Sequence, residues 1–317
     1  MTGQICDAVI IGRNEGERLK ACLGSVQGLF RRVIYVDSGS TDGSQAAAAA
    51  LGAEVVALDL SQPFTAARAR NAGLAQLAGD PPDLVQFLDG DCRMDPDWPA
   101  QARAFLAAQA DVAVVCGRRR EIAPEASVYN RLADAEWDTP VGEARACGGD
   151  AMMRYAPLVA LGGYRADLIA GEEPELCLRL RQAGFRIWRL DAEMTLHDAA
   201  MMRLSQWWQR MRRAGHAFAE GAALHGAAPE RHWVAETRRA LLWGVALPLV
   251  TVIGGLLYAP LWLLLLIWPL QWLRLRRRMG GERSFFTLLG RFPEAQGALG
   301  YLWQRLRGRK GGLIEYK

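Results

Sequence analysis

In the segment "FLDGDC", Asp89 and Asp91 flank a single glycine at the end of an apolar run. Two carboxylates so spaced cannot both face a core, and a turn at Gly90 would let both point into a cleft. Paired carboxylates attract a hard cation. Mg²⁺ or Mn²⁺ held this way keeps coordination positions open for phosphate oxygens. Such an ion stabilises negative charge developing on a departing diphosphate, which is the electrophilic half of a transfer from a nucleotide diphosphate. D-x-D is also the pattern of an ordinary turn, so its place after the fourth of a series of strand-like runs is what gives it weight.

Two further segments carry groups suited to such a reaction. "IIGRNEG" sets Arg13, Asn14 and Glu15 at a helix start, where free N–H groups can hold an anion or a sugar edge. Its glycines do not follow G-x-G-x-x-G, so no dinucleotide fingerprint is present. Glu15 could bind ribose hydroxyls, or it could be a carboxylate favoured by the helix dipole. In "AGEEPELCLRLRQAGFRIW", Glu172 and Glu173 stand just before a helix with Leu176, Leu180 and Ala183 on its apolar face, and Pro174 suits a first helical position. A carboxylate there can accept a proton from an acceptor hydroxyl as general base. The plain alternative is an acidic helix start.

Such groups need a scaffold. Short apolar runs at 7–12, 31–37, 53–59, 83–89 and 110–117 read as buried strands, and amphipathic or Ala-rich helical stretches alternate with them. Ser40-Thr41-Asp42-Gly43 marks a helix start and Gly52 its stop. The alternation predicts a mostly parallel α/β sheet, covered on both faces, with ligands at the carboxyl ends of the strands. Acidic residues fall at those ends: Asp37, Asp59, Asp89 and Asp91.

The composition excludes a disordered chain, since 51% of the 317 residues are hydrophobic. The six cysteines are scattered, with no C-x-x-C pair, and read as reduced, mostly buried thiols. No secretory signal is expected from "MTGQICDAVIIG". The net charge of +4 conceals an asymmetry, because residues 274–317 hold eleven Lys and Arg against three Asp and Glu. Ahead of that basic tail, Ala240 to Leu273 contains no charged residue, which points to membrane contact. One straight helix of that length would exceed the hydrocarbon thickness of ~30 Å. Two helices turning near Gly254-Gly255 would place the flanking arginines, Arg238 and Arg239 before and Arg274 to Arg278 after, on the same side, as basic residues prefer. The aromatic and Arg-rich stretch around Trp207 and Trp208 fits either an interfacial helix or one packed on a domain edge. The expected organisation is a catalytic domain at 1–198, an amphipathic region at 199–238, a membrane hairpin or re-entrant pair at 239–273 and a basic tail at 274–317. Nucleic acid is not an expected partner, since the arginines cluster beside apolar segments without a stacking platform.

Taken in order with "VDSGSTDGS" and "ARARNAG", these segments resemble the family 2 glycosyltransferases and their GT-A fold over roughly residues 5–215. The resemblance implies an inverting transfer of one sugar from a nucleotide-diphosphate sugar. Asn14 and Glu15 match the pair after the first strand, and Asp37 would contact the base. Asp89 would meet the ribose and Asp91 the metal, Mg²⁺ or Mn²⁺. His197 in "TLHD" is a candidate further ligand. The general base falls on Glu173, where the family usually has Asp, and Glu172 competes with it. Gly148, Gly149 and Asp150 match an acceptor-proximal segment, and Arg70, or else Arg68, lies near the nucleotide. The Q-x-x-R-W of processive synthases is not matched, since Gln209 stands in place of Arg, which implies one sugar per encounter. With the apolar stretch, this implies membrane lipid and a polyprenyl-linked or other lipid-linked glycan as partners, at the cytoplasmic face of the inner membrane, in bacterial surface polysaccharide or glycolipid synthesis. The alternatives are a sugar nucleotidylyltransferase-like enzyme, which would need a Gly-rich basic loop after the first strand, and a non-catalytic membrane scaffold.

Overall fold

The computed structural model describes residues 4–308. The apolar runs become strands, and the first four are parallel. They are β1 (Cys6–Gly12), β2 (Val33–Asp37), β3 (Glu54–Ala57) and β4 (Leu84–Asp89), arranged β3-β2-β1-β4. Parallel neighbours require crossovers, supplied by α1 (Glu17–Val26), α2 (Ser44–Ala50) and α3 (Ala66–Leu77).

Beyond β4 the topology becomes mixed. There follow β5 (Cys92–Met94), α4 (Trp98–Ala108), β6 (Val112–Glu121), α5 (Val128–Trp137), β7 (Gly142–Ala144), β8 (Ala151–Arg154), α6 (Tyr155–Ala160), α7 (Glu172–Gln182) and β9 (Arg186–His197). The order continues β4-β8-β6-β9-β5. The short β8 runs antiparallel to both β4 and β6, while β9 is parallel to β6 and antiparallel to β5 and β7. A four-residue strand such as β8 carries too little periodicity to be recognised in sequence. The helix bearing Glu172 and Glu173 starts at Glu172 itself, so Pro174 is its third residue and not its first.

The sheet core is dry and apolar around Ile10, Ile34, Leu84 and Phe87. Its polar groups are matched: the indole Nε1 of Trp98 donates to Gln86 at 2.9 Å, and buried Asp7 accepts a two-pronged pair from Arg31. All six cysteines are free and buried.

The chain divides into two compact units, the first running to Leu168 and over Glu172–Met202, the second comprising Ile169–Gly171 and the chain from Arg203 onward. The second unit is helical: α8 (Leu204–His225), α9 (Val234–Leu241), α10 (Leu247–Leu257), α11 (Ile267–Met279), α12 (Gly281–Leu289) and α13 (Arg291–Leu306). A π-helical turn at Leu242–Ala246 joins α9 to α10, so Val234–Leu257 runs as one helix of 24 residues, long and apolar enough to cross a membrane. The break expected near Gly254-Gly255 falls instead at Tyr258, which is extended (φ −145°, ψ 101°). Pro260 fits a break nearby, because it has no N–H to donate to a carbonyl of the preceding turn and so cannot continue the ladder of α10. The two glycines serve as a contact face. A Cβ on Gly254 would lie 2.7 Å from Leu261 and one on Gly255 2.7 Å from Trp262, so the returning 3₁₀ stretch Ala259–Leu266 lies against α10. Residues 309–317 of the expected basic tail lie outside the described residues.

In the first unit, α3 approaches the sheet closely at Gly73, where an added Cβ would run into the side chain of Val9 and lie 3.3 Å from Val36. Gly73→Ala should therefore destabilise this unit through overpacking, by about 1–3 kcal/mol, read as a lowered denaturant midpoint with an unchanged m-value.

Candidate active site

The carboxyl ends of β1, β2 and β4 face one crevice. Asp37 ends β2 and is fully buried, with one oxygen accepting from Gly39 N (3.0 Å), Ser40 N (2.9 Å) and Gln45 Nε2 (2.8 Å), and the other from Tyr35 Oη (3.1 Å). Burial pushes this carboxyl up, and the hydrogen bonds from Ser40, Gln45 and Gly39 overcome it, leaving it below the usual range. Asn14 lies in the loop after β1 at φ 55°, its Oδ1 accepting from Thr41 N at 2.8 Å and its N–H donating to Ser40 Oγ at 2.8 Å. It ties the first loop to the second. Glu15 pairs with Arg18 at 2.8 Å. Asp59 lies outside this group, in an exposed turn where it accepts from Ser61.

The centre is a network of buried charges. Arg70, on α3, is 2% exposed, and three carboxylates surround it at 2.9 Å: Asp89, Glu172 and Glu173. Its face also lies over the Tyr164 ring, 5.5 Å from the centroid. The choice between Arg68 and Arg70 is decided by direction, since Arg68 donates to carbonyls of Asp59, Gln62 and Pro63 in the preceding loop. Asp89 gives its other oxygen to Arg119 at 2.8 Å. Burial raises the Asp89 carboxyl, but the guanidiniums of Arg70 and Arg119 prevail and hold it well below the ordinary carboxylate range. For Glu173 the balance is reversed. Burial and the neighbouring Glu172 charge outweigh Arg70 and push its pKa up to about 7.

Gly149 and Asp150 lie directly beneath this network. An added Cβ on Gly149 would sit 2.6 Å from an Arg70 nitrogen and 2.9 Å from Asp89, whereas Gly148 is exposed with open space around it. Asp150 is 1% exposed. It accepts from Asp89 N (3.2 Å) and Thr195 Oγ1 (2.7 Å) and pairs with Arg119 at 2.9 Å. It therefore braces the aspartate and the arginine from below, in the segment that the resemblance sets near the acceptor.

Asp91 lies one residue ahead of β5. Because Cys92 of β5 is in register with His197 of β9, sheet pairing carries His197 to the same point, its Nε2 3.4 Å from Asp91 Oδ1. Burial, with Arg119 next, lowers the His197 pKa to about 4, so the imidazole is neutral at pH 7. Ligating atoms of Asp89, Asp91, Cys92 and His197 all lie within 4.8 Å of one another. Their chemistry discriminates among them. Both Asp89 oxygens are engaged by guanidiniums, and burial pushes the Cys92 thiol well above its usual range, so it stays protonated. Asp91 and neutral His197 remain as one hard and one borderline ligand, a set that suits Mn²⁺ or Mg²⁺ with positions left for phosphate oxygens. The charge balance fits as well, since five carboxylates (Asp89, Asp91, Asp150, Glu172 and Glu173) share this region with the guanidiniums of Arg70 and Arg119.

Arg119, Trp137, Thr195 and Glu121 belong to the site and were not singled out from the sequence. Trp137 carries the Arg119 guanidinium over its ring face at 5.2 Å and meets His197 edge-on at 4.7 Å. The available signal was the run Arg118-Arg119-Arg120 leaving an apolar strand. Strand alternation could not assign it, because β6 changes register on both sides of Arg118. Arg118 turns to Asp134, Arg120 to Glu193 and Arg119 into the cluster.

A sheet of this topology, with a D-x-D at the end of β4 and an acidic helix start across the crevice, defines the GT-A class of nucleotide-sugar transferases. Residues 7–151 match the model of glycosyl transferase family 2. The matched stretch lies wholly within the first unit. Succinoglycan biosynthesis protein ExoA of Rhizobium meliloti (strain 1021) is 26% identical over 211 residues, which is 62% of this chain and 64% of that protein. The match thus spans less than two thirds of that relative. Among solved structures, the mannosyltransferase PcManGT from Pyrobaculum calidifontis, in complex with GDP-Man and Mn²⁺, superposes with a TM-score of 0.68 at 21% identity, covering 96% of this chain and 89% of that one. Residues 1–349 of S. aureus TarS, in complex with UDP-GlcNAc, give 0.53 at 15% identity, covering 96% and 92%. At such identities the likeness to these two structures is one of fold.

Gly149→Ala should push Arg70 and Asp89 apart. We expect a drop in melting temperature together with weakened nucleotide binding, measured by differential scanning fluorimetry and calorimetry, while Gly148→Ala leaves both near wild type.

Proposed function

We propose that the protein is an inverting, metal-dependent glycosyltransferase. It moves one sugar from a nucleotide-diphosphate donor to a hydroxyl of a lipid-linked glycan at the cytoplasmic face of the inner membrane, in surface polysaccharide or glycolipid synthesis. The observation that carries this reading is the joining of Asp89 and Glu173 through Arg70 at 2.9 Å on each side, which fixes a donor-binding carboxylate and a base across one crevice. In this reading Asp37 receives the nucleotide base at the end of β2, and Asn14 with Glu15 shapes the adjoining loop. Asp91 and His197 hold the Mg²⁺ or Mn²⁺, which when bound stabilises charge on the diphosphate.

The transfer is a single displacement. Glu173 accepts the proton of the acceptor hydroxyl as its oxygen bonds to the anomeric carbon, and the bond from that carbon to the diphosphate oxygen breaks on the opposite face. Arg70 holds Glu173 in place, and burial with the neighbouring Glu172 charge keeps its pKa high enough for the carboxylate to be a useful base near neutral pH. Gly148, exposed beside Gly149, leaves room for the acceptor.

The second unit supports membrane association. Val234–Leu257 is 17% buried over its most apolar stretch, whose mean hydropathy is 2.2, and Leu256 and Leu257 at its end are exposed, as are Leu263 and Leu270 beyond it. Arg276, Arg277 and Arg278 end the returning arm in the last turn of α11, where they would meet anionic headgroups. The polysaccharide role of the ExoA relative supports a lipid-linked acceptor.

Two measurements test these points. A panel of nucleotide sugars screened with Mn²⁺ identifies the donor by thermal stabilisation. With it, Glu173→Gln should bind donor normally and lose turnover by about 10²–10⁴-fold. A carboxyl raised to about 7 is protonated below that pH, so wild-type kcat should climb as pH rises through about 7. A Glu172→Gln variant that loses turnover while Glu173→Gln keeps it would move the base by one residue. For the membrane, flotation with vesicles should show binding that strengthens with anionic lipid. Replacing Arg276, Arg277 and Arg278 by Gln should weaken that dependence by about 1 kcal/mol per arginine.

A further inference from the structure

Glu121 is a buried carboxylate that the transfer does not use. It ends β6, and it is in register with His197 on the neighbouring parallel strand β9, while Cys92 of β5 is in register with His197 on the other side. Glu121, His197 and Cys92 thus form a row across three strands at the edge of the candidate metal site. The Glu121 side chain is fully buried, and its Oε2 lies 4.0 Å from His197 Nδ1. That nitrogen is itself buried and has no hydrogen-bond partner among the described residues, whereas Nε2 faces Asp91.

The carboxylate is held rigidly. Oε1 accepts from Ala123 N (3.2 Å) and Asn130 Nδ2 (3.1 Å), and Oε2 accepts from Ala199 N (2.9 Å), two residues past His197. Asn130 continues the lattice by accepting from Met201 N at 3.1 Å. Glu121 therefore fixes both the strand end that carries His197 and the segment that leaves it. Oε2 retains acceptor capacity toward Nδ1, and a shift of about 1 Å would bring the pair within hydrogen-bonding range. A metal-ligating imidazole almost always donates its other N–H to a carboxylate, carbonyl or water, which fixes its tautomer and raises its basicity.

We propose that Glu121 is a positioning residue for the metal site. It accepts the Nδ1 proton of His197, keeps the Nε2 lone pair aimed at the position shared with Asp91, and so sets the affinity for the divalent ion. The inference rests on the reading of His197 as a ligand and concerns a residue that never meets the substrate.

The test uses the full chain and Mn²⁺ alone, with free ion followed by electron paramagnetic resonance. His197→Ala and Glu121→Gln should both raise the Mn²⁺ dissociation constant by about 10–100-fold, with Glu121→Asp in between. Unchanged affinity in His197→Ala would remove the ligand reading itself. Loss there with wild-type affinity in Glu121→Gln would overturn the positioning role alone. Because Glu121 also holds Ala199 and Asn130, a folding defect must be separated from a metal effect. The chain has four histidines, so imidazole ¹⁵N spectra are simple, and the His197→Ala spectrum assigns the signal. Wild type saturated with diamagnetic Mg²⁺ at neutral pH should show His197 as the Nδ1–H tautomer, and the Nε2–H tautomer there would overturn the proposal whatever the variants do.

Discussion

Charges removed from water must be paired, and that constraint organises the first unit. Arg70 is almost inaccessible, yet it carries a full charge and meets three carboxylates from two separate parts of the chain. Losing one partner of such a group would leave an uncompensated charge in a low dielectric, which typically costs about 3–5 kcal/mol. The network is thus both a structural clamp and the means by which the D-x-D loop and the acidic helix start keep a fixed separation. Positioning of this kind, with charges oriented before the substrate arrives, is where much of an enzyme's acceleration originates.

The same network separates the properties of like groups. Asp89, between two guanidiniums, is held ionised, whereas Glu173, one residue from another carboxylate and sharing a single guanidinium, is raised toward neutrality. The same functional group, a carboxylate, thereby serves two roles. Burial raises both carboxyls, and what separates them is the second guanidinium beside Asp89 and the Glu172 charge beside Glu173. His197 follows the same logic, since the arginine that anchors Asp89 also helps keep its imidazole neutral.

The second unit obeys a different solvent. Its apolar arms turn at Tyr258 and pack on each other at Gly254 and Gly255, where the absence of side chains makes room for those of Leu261 and Trp262. The large aliphatic side chains are left outside. Elsewhere in the unit glycine does similar work: a Cβ on Gly215 of α8 would collide with the backbone of Glu294, and one on Gly297 of α13 with that of Arg212. Water would penalise so many exposed leucines, whereas hydrocarbon would not, which is why this surface bears on where the protein operates.

The sequence by itself determined the parallel half of the sheet, β1 to β4, because hydrophobic period and strand spacing survive any detail of packing, while the GT-A fold followed from the resemblance of its motifs. It also determined the carboxylates at the strand ends, since a charged residue that closes an apolar run has few other places to go. What the tertiary structure decided are the relations between distant segments. His197 reaches Asp91 only because β9 pairs with β5, and Glu121 stands behind it only because β6 pairs with β9. Arg119 faces the cluster because register shifts beside Arg118 break the alternation that sequence reading relies on. Arg70 and not Arg68 enters the site because two residues along helix α3 carry the side chain about 200° round the axis, to the opposite face. Asp150 is buried beneath Asp89, a position its glycine-rich neighbourhood did not betray. In each case the deciding contact joins residues remote in sequence, and local pattern records what a residue is but not what the fold sets beside it.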